Sequence, residues 1–112
     1  MKKIEAIIRP EKLAEIMDAL KKLGYPGMTL TEIRGHGKQK GITQLWRGEE
    51  YKIELLPKIK LEIVVLDDDV SRIIEAIRLS ARTGEMGDGK IFVLPIEDAV
   101  RVRTGEGGEN AI

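Results

Sequence analysis

The densest chemistry in the chain lies in Thr83-Gly-Glu-Met-Gly-Asp-Gly-Lys90. Gly84 to Lys90 fits the opening of a phosphate-binding GxxxxGK pattern. Two features part from that motif. Ile91 stands where a Mg²⁺-binding Ser or Thr belongs, and the surrounding pattern runs helix, loop, strand instead of strand, loop, helix. The helix N-terminus that holds phosphates in such loops is therefore missing. Local physics remains: closely spaced glycines let backbone N–H groups converge on an anion, and Lys90 adds a point charge. Taken alone, the stretch reads first as an ordinary tight turn.

It has company. Arg101 and Arg103 sit two apart in an apparent extended piece, which would send both guanidinium groups to one side. Such a pair repels itself unless an anion or a surface carboxylate lies between. Gly35 to Lys40 forms a third basic, glycine-rich set. A nucleotide is the economical ligand for three anion-friendly segments in one neutral chain. Other chemistry has little to work with. His36 is the single histidine, so multi-histidine metal sites and a Ser-His-Asp triad are out of reach. The helical carboxylates are spaced as solvated faces. Aromatic residues make up 4% of the chain, too few for a platform that stacks RNA bases.

A long stretch, Gly35 to Lys58, separates two strand-like runs. Structureless connections beyond about 12–15 residues are usually functional or disordered. Trp46, the single tryptophan, lies here with Tyr51 among charged residues. Either these aromatics are contacts for a partner, or the stretch is an extended hairpin with a solvated surface.

The remaining sequence must position these pieces. Its 112 residues suit one domain, residues 1–112, with one core. A formal net charge of zero argues against general affinity for nucleic acid or anionic membrane. No apolar run approaches the roughly 20 residues of a membrane-spanning helix, and no signal-peptide layout is present. Without cysteine there are no disulfides or thiolate metal sites, and a reducing, cytoplasmic setting is expected.

Met1 to Arg9 alternates as a strand, with Ile4, Ala6 and Ile8 on one face and Glu5, Ile7 and Arg9 on the other. Pro10 suits a first helical turn. Leu13, Ile16, Met17, Leu20 and Leu23 then form an apolar stripe that Gly24 should close as a left-handed C-cap. Pro26-Gly27 marks a turn, and Met28 to Arg34 is a second strand. After Pro57, Ile59, Leu61, Ile63 and Val65 alternate with Lys60, Glu62, Val64 and Leu66. Asp67 to Asp69 offer an N-cap for a helix carrying Val70, Ile73, Ile74 and Ile77, with Arg78 and Arg82 near its end. Ile91 to Ile96 is a strand, Arg101 to Arg103 a short extended piece, and the glycine-rich tail from Gly105 to Ile112 is expected to be mobile.

Strand, helix, strand, twice over, predicts an α+β, ferredoxin-like βαββαβ sandwich with a short C-terminal strand. Two helices cover one sheet face. Ile7, Val64 and Leu66 put apolar groups on the other, which predicts a homo-oligomer unless loops cover it.

These segments together resemble the PII nitrogen-signalling family from first residue to last. The matching stretches are KKIEAIIRP, GMTLTEIRGHGKQKG, LPKIKLEIVV, TGEMGDGKIFV and RVRTGE, with the terminal Ala111-Ile112. The resemblance implies a non-enzymatic homotrimer whose intersubunit clefts bind ATP or ADP. It assigns residues 82–90, with Gly87, Asp88, Gly89 and Lys90, to the phosphates. Arg101 and Arg103, in a C-terminal loop and tail over 101–112, would reach those phosphates from the adjacent subunit. Thr29, Gly35, Gly37, Lys38, Glu62 and Val64 match positions lining the nucleotide cleft. Gln39 resembles a residue that joins the nucleotide phosphates and 2-oxoglutarate in holding Mg²⁺. Lys40, Gly41 and Lys58 match positions near the 2-oxoglutarate carboxylates. Mg²⁺ favours hard oxygen ligands, including substrate phosphates, so an amide oxygen from Gln39 suits it. Effector and nucleotide would then be coupled through the base of the long loop.

The resemblance also makes residues 37–55 the partner-binding loop, with an ammonium transporter and nitrogen-assimilation enzymes among its partners and membrane association only through the transporter. Arg47 resembles a residue that enters a channel vestibule. Tyr51 matches a tyrosine that some members carry as a nucleotidylation site. Trp46 and Glu49 break the family's loop signature, so the expectation is an unmodified Tyr51. The alternatives are a PII-like adaptor without a 2-oxoglutarate response and a small ATPase. The ATPase reading lacks a clear base or water-positioning group.

Overall fold

A computed structural model describes the backbone of residues 1–36, 42–46, 49–53 and 55–112, and the side chains of residues 1–35 and 55–112. Its strands are β1 (Lys2–Ile8), β2 (Thr29–His36), β3 (Ile42–Trp46), β4 (Glu49–Ile53), β5 (Leu55–Val65) and β6 (Lys90–Pro95). Its helices are α1 (Leu13–Lys22) and α2 (Val70–Ala81). The main sheet runs β2-β5-β1-β6, and every neighbouring pair is antiparallel. Each strand-helix-strand unit therefore has a strand of the other inserted between its own two. This is the interlocked ferredoxin-like arrangement expected from the pattern.

Alternation decides which side is buried. Ile4, Ala6 and Ile8 of β1 lie beside Ile63, Leu61 and Ile59 of β5, and both rows face the helices. Ile16 and Leu20 of α1 and Ile73 and Ile77 of α2 close over them and are fully buried. Met17 does not join this stripe and is 40% exposed, because it lies one residue round the helix from Ile16. Gly24 takes φ +88° just past α1, where its N–H bonds the Lys21 carbonyl, as a left-handed C-cap should.

Three expectations need correction. Asp67 to Asp69 form a short 3₁₀ turn with no side-chain cap. Two of their carboxylates are used elsewhere: Asp67 pairs with the Met1 ammonium at 2.8 Å, and Asp69 accepts from Tyr25 and from Arg72. Arg101 to Arg103 is not a strand. Residues 102–104 are turn, and the expected short C-terminal strand reduces to an isolated bridge between Val100 and Gly107. That turn is closed by Arg101 N–H donating to the Glu106 carbonyl and Gly105 N–H to the Arg101 carbonyl, both at 2.8 Å. The tail is tethered as well: Gly108 N–H reaches the Ala99 carbonyl at 2.9 Å and the Arg101 guanidinium reaches Asn110 O at 3.2 Å.

The long connection is shorter than its composition suggests. β2 and β5 continue their pairing out to His36 and Leu55, and β3 pairs with β4 from Ile42–Ile53 to Trp46–Glu49. Pro57 is accommodated inside β5 because β1 has ended at Ile8, opposite Ile59, leaving a partner on one side only.

Candidate functional site

The loop from Thr83 to Gly89 is shaped by one carboxylate. Asp88 accepts from the Thr83 hydroxyl at 2.5 Å, the Thr83 N–H at 2.8 Å and the Gly84 N–H at 2.9 Å. Arg9 adds its Nε at 3.1 Å. Burial pushes the Asp88 carboxyl up, but these donors outweigh it and hold the group far below the usual carboxylate range. The chain can turn this tightly because Gly84, Gly87 and Gly89 adopt φ of +91°, +97° and +102°. Gly89 is further constrained, since a Cβ there would stand 1.6 Å from the Ile7 carbonyl oxygen. Asp88 thus serves the loop through its side chain, and what it has left to offer an anion is its backbone N–H.

Lys58 joins this loop to the base of the long connection. It is 6% exposed, and its ammonium donates to the Gly87 carbonyl at 2.5 Å. Gly35 lies beside it: a Cβ there would come within 3.2 Å of the Lys58 Cγ, so the glycine leaves room for the lysine stem. Lys58 also lines an open cleft of about 480 Å³ with Ile33 and Pro57.

The register places the other cleft positions on the same open sheet face. Thr29 lies opposite Glu62, Glu62 opposite Glu5, and Val64 opposite Lys3. Lys90 lies opposite Ile7. On this face Lys3 bridges Glu62 at 3.2 Å and Glu5 at 3.3 Å, while Lys60 reaches Glu62 at 3.5 Å. The hydrogen bond from Lys3 lowers the Glu62 pKa, and the same carboxylates raise that of Lys3.

Sequence and structure meet unevenly at the proposed positions. Gly87, Asp88, Gly89, Lys90 and Lys58 come together, with Gly35 alongside. Thr29, Glu62 and Val64 follow along the same face. Arg101 and Arg103 stay apart: within one chain, no described hydrogen bond or ion pair links either to residues 87–90. Their common direction, inferred from an extended segment, does not apply to a turn. Gly37, Lys38, Gln39, Lys40, Gly41 and Arg47 lie outside the described residues, as do the side chains of Trp46 and Tyr51. Arg9 and Thr83 are the residues that sequence reasoning missed. Their only linear signal was an Arg before Pro10 and a Thr opening a glycine-rich loop. Among the described residues, no cluster of three or more His, Asp or Glu could hold a metal by itself. Nor is any described helix long and apolar enough to cross a membrane.

A family model described as nitrogen regulatory protein P-II matches residues 1–106. Nitrogen regulatory protein P-II 2 of Methanothermobacter thermautotrophicus is 56% identical over 112 residues, covering all of this chain and 97% of that one. The P-II proteins of Bradyrhizobium diazoefficiens and Azospirillum brasilense are 58% and 57% identical, each over 100% of both chains. That family generally binds ATP or ADP and 2-oxoglutarate and acts on regulatory partners. The chain belongs to the P-II nitrogen regulatory proteins, non-enzymatic signal transducers of nitrogen regulation.

Proposed function

We propose that this P-II protein is a homotrimer that senses ATP against ADP in its intersubunit clefts and reads 2-oxoglutarate beside them. The observation that carries the reading is the Thr83–Gly89 loop, drawn together by Asp88 and tied through its Gly87 carbonyl to Lys58. Residues 1–112 act as one domain. Within it, residues 82–90 hold phosphates, 37–55 contact partners, and 101–112 reach across to a neighbouring subunit.

The residues fit an anionic ligand. Backbone N–H groups around Gly87, Asp88 and Gly89 and the Lys90 ammonium receive the phosphates. Arg101 and Arg103, remote from this loop in their own chain, contribute from the adjacent copy. Thr29, Gly35, Gly37, Lys38, Glu62 and Val64 line the rest of the cleft. Gln39 supplies a hard amide oxygen for Mg²⁺, whose remaining ligands come from phosphate and keto acid, as that ion's preferences allow. Lys40 and Lys58 neutralise the 2-oxoglutarate carboxylates, and Gly41 lies beside them. Lys58 is the direct link between effector and nucleotide, since its ammonium already lies on the phosphate loop. Binding there biases the neighbouring 37–55 segment, whose Trp46, Arg47 and Tyr51 meet an ammonium transporter or a nitrogen-assimilation enzyme in the cytoplasm.

Calorimetric titration of 2-oxoglutarate in the presence of Mg-ATP, and again with Mg-ADP, tests the reading. Binding is expected with ATP only, and Gln39→Ala is expected to abolish it. Equal binding with both nucleotides would remove the proposed coupling. Nucleotide binding with no 2-oxoglutarate response would leave an adaptor, and rapid steady ATP turnover would favour an ATPase.

A further inference from the structure

Arg9 directly follows the first strand, and its described side-chain hydrogen bonds go to the Thr83–Gly89 loop. Its guanidinium makes two bonds there, Nε to Asp88 Oδ1 at 3.1 Å and Nη2 to the Met86 carbonyl at 2.8 Å. Its side chain is 18% exposed, so the fork is largely enclosed by the loop it grips. Backbone on both sides is set. β1 stops at Ile8, Arg9 is extended at φ −69° and ψ 135°, and Pro10 follows at the start of a short 3₁₀ turn. The base of the side chain is therefore anchored by the sheet.

The second bond has a consequence for the loop's donors. A trans peptide sends its C=O and N–H in opposite directions. With the Met86 carbonyl drawn to Arg9, the Gly87 N–H must point the other way. Lys58 treats the next peptide in the same fashion, drawing the Gly87 carbonyl and turning out the Asp88 N–H. Two consecutive peptides are thereby oriented by two cations, one just past β1 and one within β5. The positive-φ glycines alone leave that orientation undetermined, because glycine can occupy either hand.

We infer that Arg9 is the positioning residue of this loop, turning the Gly87 N–H toward the bound anion while fixing Asp88 in place. The inference rests on the proposed phosphate role of the loop. A planar fork with donors in two directions suits the task, whereas a lysine could satisfy one acceptor at a time with good geometry.

The test compares Arg9→Met and Arg9→Lys with the native full-length chain. Calorimetry measures ATP and, separately, adenosine, which lacks phosphates. ATP affinity should fall tenfold or more in Arg9→Met, adenosine affinity should stay within twofold, and Arg9→Lys should fall between for ATP. A general structural defect would weaken both ligands alike and would overturn the positioning role. Amide hydrogen exchange without nucleotide supplies the independent readout. The Thr83 and Gly84 N–H groups should exchange faster in Arg9→Met, with the amides of Ile4 and Leu61 unchanged. Unchanged exchange at Thr83 and Gly84 would overturn the clamp. If the native chain binds no ATP, the nucleotide reading fails by itself, and the exchange result still decides whether Arg9 holds the loop. Should Arg9→Met fail to fold, Arg9→Lys carries the same comparisons.

Discussion

Gly84 and Gly89 share a positive φ, +91° and +102°, but not a neighbourhood. Nothing lies within 4 Å of a Cβ built on Gly84, whereas one on Gly89 meets the Ile7 carbonyl oxygen at 1.6 Å. Gly84→Ala should therefore cost only left-handed strain, about 1–2 kcal/mol. Gly89→Ala should cost roughly 3 kcal/mol or more, because backbone must move as well. Urea unfolding of the two variants checks the contrast, and equal losses would contradict the close approach. Asp88 makes a second prediction at this scale. Its folded-state pKa is depressed, so its contribution is complete above the unfolded value of about 3.9 and is lost as pH falls through the folded value. Asp88→Asn should destabilise at pH 7, and the gap from the native chain should narrow steadily below about pH 4. Denaturant titrations at pH 7 and pH 3 measure it.

At the scale of elements, α2 shows how a helix divides its labour. Ile73 and Ile77 are fully buried against the sheet, while Leu79 is 62% exposed. Ile77→Ala should cost about 2–5 kcal/mol through lost transfer energy and a residual cavity. Leu79→Ala should lie within about 0.5 kcal/mol of the native chain. Thermal or chemical melts of the pair test whether the stripe and not overall hydrophobicity fixes the helix. The loop after α2 depends on the same packing. Thr83 opens it directly after Arg82, whose N–H closes the helix on the Arg78 carbonyl at 3.0 Å. The helix end and β1 are thus the two supports between which Asp88 draws the loop tight.

For the whole molecule, the sheet's second face is the unfinished part. Phe92 and Leu94 of β6 are 49% and 36% exposed, and Val102 of the C-terminal turn is fully exposed. Exposed apolar side chains on an edge strand and an adjoining extension call for a covering surface. In the proposed trimer the neighbouring copies supply it. Phe92→Glu is then expected to shift the protein from trimer to monomer in light scattering, and to weaken ATP binding because the cleft needs two copies. A native chain that runs as a monomer at micromolar concentration would contradict the assembly.

The linear pattern determined a good deal. Period-two alternation in β1 and β5 and the helical stripes in α1 and α2 are local properties, so the order of the main-sheet strands and the two helices, and with it the ferredoxin-like fold, was legible residue by residue. The glycines marked a tight loop for the same reason: special backbone conformations restrict residue type locally. Tertiary structure decided what acts across the fold. Asp67 and Asp69 look like helix caps until Met1, Tyr25 and Arg72 claim their carboxylates. Arg101 and Arg103 look like a strand pair until Glu106 and Gly105 close a turn around them. Lys58 and Arg9 carried no sign of reaching Gly87 and Met86, 29 and 77 positions away. Propensity is a property of neighbours in sequence. A hydrogen bond across the sheet exists only once strand order and register have brought its two ends together.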